Sequence, residues 1–255
     1  MKNLIKFFAS KPGFKITNTK YIPKQFIDET HILKLDFDHV LSKYLFDLHD
    51  SHQFTFIQIG AFDGIECDPL RKYLKIYDWR GVLLEPQPGP FENLKKLYES
   101  QANLLILNAA LDRSIGKTTL YVLEGDNFPK WAKGMASFRK QNILKHNEFL
   151  PYLDKFIKEL EIDTITFEEI FNVLSIKSLD LLQIDTEGFD AEVLNMFPFD
   201  IIKPSIIHFE SKHLGKPSLE NLLTFLIENG YHFAYDGGED MVALLQTGSM
   251  SANQF

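Results

Sequence analysis

Acidic residues and a histidine stand directly behind the apolar runs of this chain. Phe54-Thr-Phe-Ile-Gln-Ile59 runs into Gly60-Ala-Phe-Asp-Gly64, and Gly81-Val-Leu-Leu-Glu85 ends in an acid 25 residues after Gly60. If the runs are strands of an open α/β sheet, ligands bind beyond their carboxyl ends. Gly60 lets the backbone turn sharply and come close to a ligand. Glu85, with Pro86 beside it, can accept hydrogen bonds from both hydroxyls of a ribose. Glycine turn and acid at this spacing point to a nucleoside-bearing cofactor. Phe62 occupies the second glycine position of Gly-x-Gly-x-x-Gly. That argues against a pyrophosphate cradled on a helix N-terminus, and so against a nicotinamide dehydrogenase. A third run ends in Asn108-Ala-Ala-Leu-Asp112. Its small Ala109 and Ala110 leave room for a flat base, and Asp112 either accepts from that base or serves the turn.

Two further runs carry the reactive groups. Leu179–Ile184 is followed by Asp185-Thr-Glu-Gly-Phe-Asp190, and Ser205–Phe209 by Glu210-Ser-Lys-His213. Burying Asp185 and Glu187 at a strand tip is costly unless they act, the competing role being helix capping. His208 lies inside its run and reads as a core residue. Asp185, Glu187, Glu210 and His213 are the candidates for proton abstraction, each a type that can serve as a general base. Carboxylates at neighbouring tips could instead hold a divalent metal that polarises a substrate.

These positions need a sheet to bring them together. Residues 37–48 carry apolar positions at helical spacing (Phe37, Leu41, Tyr44 or Leu45, Leu48), with Asp36 as a cap, and predict a helix over a sheet edge. Helices are then expected after Asp68-Pro69, over 91–99, over 166–174, over 189–196 and over 218–229, the last stopped by Gly230. They alternate with the apolar runs, as in a parallel sheet with right-handed crossovers. Tyr231–Tyr235 and Met241–Leu245 are joined by the turn-rich 236–240 and must be antiparallel. A parallel sheet closed by such a hairpin is the outline of the class I methyltransferase fold. Thr118–Leu123 is a further short strand. Residues 124–160 break the rhythm, with a helix expected near 148–160. A departure of that length reads as a lid or specificity element. Trp131 and Ser137 within it are candidate substrate contacts.

Composition bounds the rest. In 255 residues, 45% hydrophobic content supports one sizeable core. A net charge of −8 argues against a generic nucleic-acid binder, which wants a basic face. The one cysteine, Cys67, cannot build a disulfide framework or a cysteine-rich zinc site, and fits a reducing, cytoplasmic compartment. The apolar start Met1–Ala9 is cut by Lys6 and is too short for a signal peptide, and no run is long enough to span a membrane.

Phe56–Gly64 together with Gln183-Ile-Asp-Thr-Glu-Gly-Phe-Asp190 resembles the FkbM-type methyltransferase family, and Asn108–Asp112 and the Ser137 segment are similar to it as well. The similarity runs from about residue 52 to about residue 246. It implies S-adenosylmethionine as methyl donor and O-methylation of a sugar or other small molecule. It carries Gly60, Ala61, Asp63 and Gly64 over to the glycine motif, Glu85 to the ribose acid, and Asp185 and Glu187 to the fourth-strand acids. Gln58 stands where many members have Asp, and Phe62 where many have Asn. Asp185 would then either take the acceptor's proton or orient the cofactor's amino group. The expectation is one Rossmann-like α/β domain over 51–250, a mostly parallel seven-stranded sheet with helices on both faces, behind an N-terminal extension at 1–50. Gly60, Ala61, Phe62, Asp63, Gly64, Glu85, Pro86, Asn108, Ala109, Asp112 and Asp185 would hold the cofactor. A non-catalytic nucleoside-binding module is the competing reading.

Overall fold

A computed structural model of the chain describes residues 37–49, 52–125, 128–129, 132, 134–235 and 240–246. Asp36, Trp131 and most of the 236–240 link lie outside the described residues. The first element is α1 (Phe37–Asp47), followed by β1 (Thr55–Ile59), the single turn α2 (Arg71–Leu74), β2 (Arg80–Leu84), α3 (Pro88–Leu97) and β3 (Leu104–Leu107). Next come β4 (Ala110–Leu111), β5 (Gly116–Leu123), β6 (Ala136–Ser137), α4 (Lys140–Leu144) and β7 (Ile157–Ile165). The remainder is α5 (Phe167–Leu174), β8 (Leu181–Ile184), α6 (Asp190–Met196), β9 (Ile206–Glu210), α7 (Lys216–Glu228), β10 (Tyr231–Tyr235) and β11 (Asp240–Leu245).

Seven strands form one sheet in the order β10-β11-β9-β8-β1-β2-β3. The pairs from β9 to β3 are parallel. β11 runs antiparallel to β10 and also to β9, so it is inserted between them. This is the class I methyltransferase arrangement that the terminal hairpin predicted. Its strands are apolar on both faces because helices cover both. One core packs Ile57, Ile59, Leu182, Ile184, Ile207 and Phe209 against α5, α6 and α7. The other packs Phe56, Leu181, Ile206 and Val242 against α1, α2 and α3. So α1 lies on a face of the sheet and not, as expected, over its edge. It is tied down at the amino end of the sheet by Asp180, which is 2% exposed and accepts hydrogen bonds from the Tyr44 hydroxyl (2.7 Å) and the Thr55 amide (2.7 Å).

A second sheet, β4-β7-β5-β6, has its own small cores. It replaces the helix expected near 148–160. The chain there makes two 3₁₀ turns, Lys145–Glu148 and Leu153–Lys155, and then the nine-residue β7. Leu160, Ile162 and Thr164 alternate inward along β7, and β5 pairs with it from Ile157 to Thr164. The helix expected over 91–99 starts earlier, with Pro88 at its first turn, where the missing amide hydrogen costs nothing. No helix among the described residues is long and apolar enough to cross a membrane.

Candidate active site

The carboxyl ends of β1, β2, β8 and β9 open on a cavity of about 680 Å³, walled on the far side by the second sheet. Its floor begins with Gly60. There φ is +82°, and a β-carbon would overlap the carbonyl oxygen of Asp185, so the tips of β1 and β8 close together only around glycine. Phe62, also in the left-handed region at φ +47°, turns its backbone amide back into the site. That amide donates to Glu85 Oε2 (2.8 Å), and the Gln87 amide donates to Glu85 Oε1 (2.7 Å). Glu85 is 3% exposed; burial pushes its carboxyl up to about 7, against the pull of the two amides. Both oxygens keep a second lone pair for a ligand. The side-chain amide of Asn108 donates to the carbonyls of Glu85 and Pro86 and so fixes the loop that presents the acid.

At the other end stand Asp185, Glu187, Glu210 and His213, all lining the cavity. The carboxyl of Asp185 is raised well above the ordinary range, first by the protein atoms packed around it and then by the carboxylates of Glu210, Asp190, Glu187 and Asp240. Its side chain remains open to the cavity, so accessibility and crowding coincide there. Burial pushes Glu187 up, but His213 outweighs it, with Lys212 and His146, and holds the carboxyl below its usual range. His213 is raised in turn, by its contact with Glu187 above all and against burial. Its Nε2 lies 3.1 Å from Glu187 Oε2 and 3.5 Å from Glu210 Oε2. Neither contact has the alignment of a hydrogen bond, so we read them as adjacent charges. Burial raises Glu210, while Lys212 Nζ, 2.6 Å from Oε1, opposes that. Capping does not explain the fourth-strand acids. The cap residue of α6 is Phe189, with no side-chain cap, and it is Asp190 that accepts from Thr186 Oγ1 (2.9 Å) and the Gly188 amide (3.3 Å).

Of the residues expected at the site, Gly60, Phe62, Glu85, Pro86, Ala109, Ser137, Asp185, Glu187, Glu210 and His213 line one cavity. Four do not. Ala61 is buried in the α1-side core. Asp63 is used locally, accepting from the amides of Ile65 and Glu66. Gly64 (φ +69°) packs where a β-carbon would press on Leu94 and Tyr98. Asp112 accepts from the Arg113 amide and lies in a separate groove with Thr166 and Phe171, so it is a turn residue. Trp131 lies outside the described residues. The sequence reading missed Gln87, Met135, His146, Phe189 and Lys212, which also line the cavity, as does Phe138, which that reading paired with Trp131 as a contact for an apolar or sugar face. His146 and Met135 carried no signal, lying in the segment whose fold was misread. Phe189 and Lys212 were legible as neighbours of the acids.

The sequence profile of the methyltransferase FkbM domain matches residues 58–233, more than half of the chain. The chain belongs to that family. Among solved structures, methyltransferase FkbM from Methylobacillus flagellatus KT shares 13% identity over 78% of this chain and 45% of its own, with a TM-score of 0.48. This chain thus spans less than half the length of that FkbM protein. A precorrin-6y C5,15-methyltransferase from Geobacter metallireducens GS-15 shares 15% identity, covering 89% of this chain and 92% of its own, with a TM-score of 0.40. The N-terminal domain of human METTL16 in complex with SAH shares 12% identity, covering 96% and 79%, with a TM-score of 0.45. No curated protein matches this FkbM-domain chain.

Proposed function

We propose that the cavity binds S-adenosylmethionine and that the chain transfers its methyl group to a hydroxyl of a sugar or other small molecule. The observation that carries this reading is Glu85, a buried acid held by the Phe62 and Gln87 amides at one end of a cavity whose other end is ringed by Asp185, Glu187, Glu210 and His213. Glu85 takes the ribose hydroxyls, and the adenine lies against Ala109 and Pro86. The methionine end then reaches past Gly60 toward Asp185. Membership in the FkbM family supports this order of parts.

The acceptor oxygen attacks the methyl carbon in line with the sulfur. The carbon–sulfur bond breaks, its electron pair stays on sulfur, and the acceptor's proton leaves to a base. Holding oxygen and methyl in near-attack geometry supplies most of the gain, on the order of 7–11 kcal/mol at best. Asp185 is the base. It is open to the cavity, and the protein atoms packed around it, followed by the surrounding carboxylates, raise its affinity for a proton. Proton removal of this kind contributes roughly 10²–10⁴-fold. Phe138 and Phe189, with ring centroids 4.8 Å apart, form an aromatic wall suited to the apolar face of a sugar.

Calorimetry with S-adenosylhomocysteine and, in parallel, NAD tests the cofactor. A screen of hydroxyl-bearing acceptors that reads S-adenosylhomocysteine release tests the reaction. Binding of NAD but not S-adenosylhomocysteine would overturn the proposal.

A further inference from the structure

We propose that Glu187, Glu210 and His213 form a divalent-cation site at the acceptor end of the cavity, suited to Mn²⁺ or Mg²⁺, and that the cation there receives the acceptor hydroxyl. The second clause rests on the reading of the cavity as a methyl-transfer site; the first does not.

The three residues come from separate places, the loop after β8, the last position of β9, and the loop before α7. One ligand atom from each lies within 4.8 Å of the other two. Two of the separations, His213 Nε2 to Glu187 Oε2 and to Glu210 Oε2, are 3.1 and 3.5 Å. Adjacent ligands of an octahedral cation bound at about 2.1 Å stand roughly 3 Å apart, so small shifts suffice to seat one. Two carboxylates and one imidazole suit Mn²⁺, which accepts both ligand types, and leave positions open for a hydroxyl oxygen.

Glu210 supplies an independent sign. It is 6% exposed, it faces the cavity, and its Oε2 has no hydrogen-bond partner among the described residues. The fold is capable of satisfying a buried acid. Asp180, at the opposite end of the sheet, is more deeply buried and accepts from Tyr44 and from both the amide and the hydroxyl of Thr55. Leaving a buried carboxylate oxygen without a partner costs more than leaving a neutral one. Lys212 takes the other oxygen, Oε1, and so fixes the direction in which Oε2 faces.

The alternative is a closed ion-pair cluster around a protonated His213. Mn²⁺ titration of the full chain, followed by the electron paramagnetic resonance signal of free Mn²⁺, separates the two. We expect one ion bound per chain. Glu210→Gln should weaken it by at least about ten-fold, some 1.4 kcal/mol, while S-adenosylhomocysteine affinity stays within about two-fold. Should Glu210→Gln fail to fold, His213→Gln at the more exposed partner carries the same comparison. No Mn²⁺ binding by the wild-type chain, or wild-type affinity in the folded variant, would overturn the site. Failure of S-adenosylhomocysteine to bind would overturn the methyl-transfer reading alone, since the Mn²⁺ stoichiometry is measured without cofactor.

Discussion

Glu85 is asked to do opposite things, to stay buried and to stay charged. Its carboxyl sits at about 7 because burial outweighs the two amides that favour the ionised form. Ribose hydroxyls donate to the carboxylate, so binding selects that form. S-adenosylhomocysteine affinity is therefore predicted to rise with pH through about 7, and calorimetry between pH 6 and 8 checks it. Glu85→Ala should cost about 1.5–3 kcal/mol of that affinity, the usual worth of hydrogen bonds to a charged group. Asp185 separates chemistry from packing. Asp185→Asn keeps its shape and loses its charge, and should cut turnover by about 10²-fold while the melting temperature holds. Near-wild-type turnover would move the base to Glu187, Glu210 or His213. The acids were legible one residue at a time because each follows an apolar run. What spacing could not tell is which way a turn points a side chain. Asp63 and Gly64 share the motif with Gly60 and Phe62, yet the left-handed turn at Phe62 spends Asp63 on the amides of Ile65 and Glu66.

The strands of the large sheet were readable because burial on both faces leaves runs such as Leu181-Leu-Gln-Ile184 almost wholly apolar. β7 was not. Ile157-Lys-Glu-Leu-Glu-Ile is rich in helix-favouring residues, and only its pairing with β5 from Ile157 to Thr164 makes it a strand. Misreading it hid the second sheet, and with it His146 and Met135. The segment read as a lid or specificity element contributes Met135, Ala136, Ser137, Phe138 and His146 to the cavity wall. Gln87 Nε2 donates to the Gly134 carbonyl (3.4 Å) and ties that wall to the loop that carries Glu85. Phe138→Ala removes half of the aromatic pair with Phe189. It should raise the acceptor's KM several-fold, on the order of 1 kcal/mol, and spare S-adenosylhomocysteine affinity. A fall in cofactor affinity of the same size would show that the wall serves the nucleoside instead.

Across the whole molecule, the site is held against the stability of the fold. Glu85 and Asp190 both have carboxyls raised to about 7, Glu85 by burial and Asp190 by burial and then by Glu210. Between the ordinary carboxylate value and 7, the folded state holds protons that the unfolded chain has released. The unfolded state then binds fewer protons than the folded one, so stability falls as pH rises through this window. The free protein should melt lower at pH 8 than at pH 5.5, and Glu85→Gln should reduce that difference. A slope of the opposite sign, or one unchanged in the variant, would count against a buried, strained acid at Glu85. Saturating S-adenosylhomocysteine should flatten the same curve, because the ligand stabilises the charged form.

The insertion of β11 between β9 and β10 also sets an order on synthesis. β10 leaves the ribosome before β11, yet only β11 joins it to the rest of the sheet. Until the chain past Leu245 has emerged, β10 has no partner and the edge of β9 stays open, the kind of unpaired edge on which nascent chains misassociate. Once Tyr235 has emerged, β1, β2, β8 and β9 are free to build the cavity floor, with Glu85 and Asp185 at their tips beside an unsealed flank. The interval between the emergence of β10 and that of β11 is thus when this fold is most open to wrong pairing.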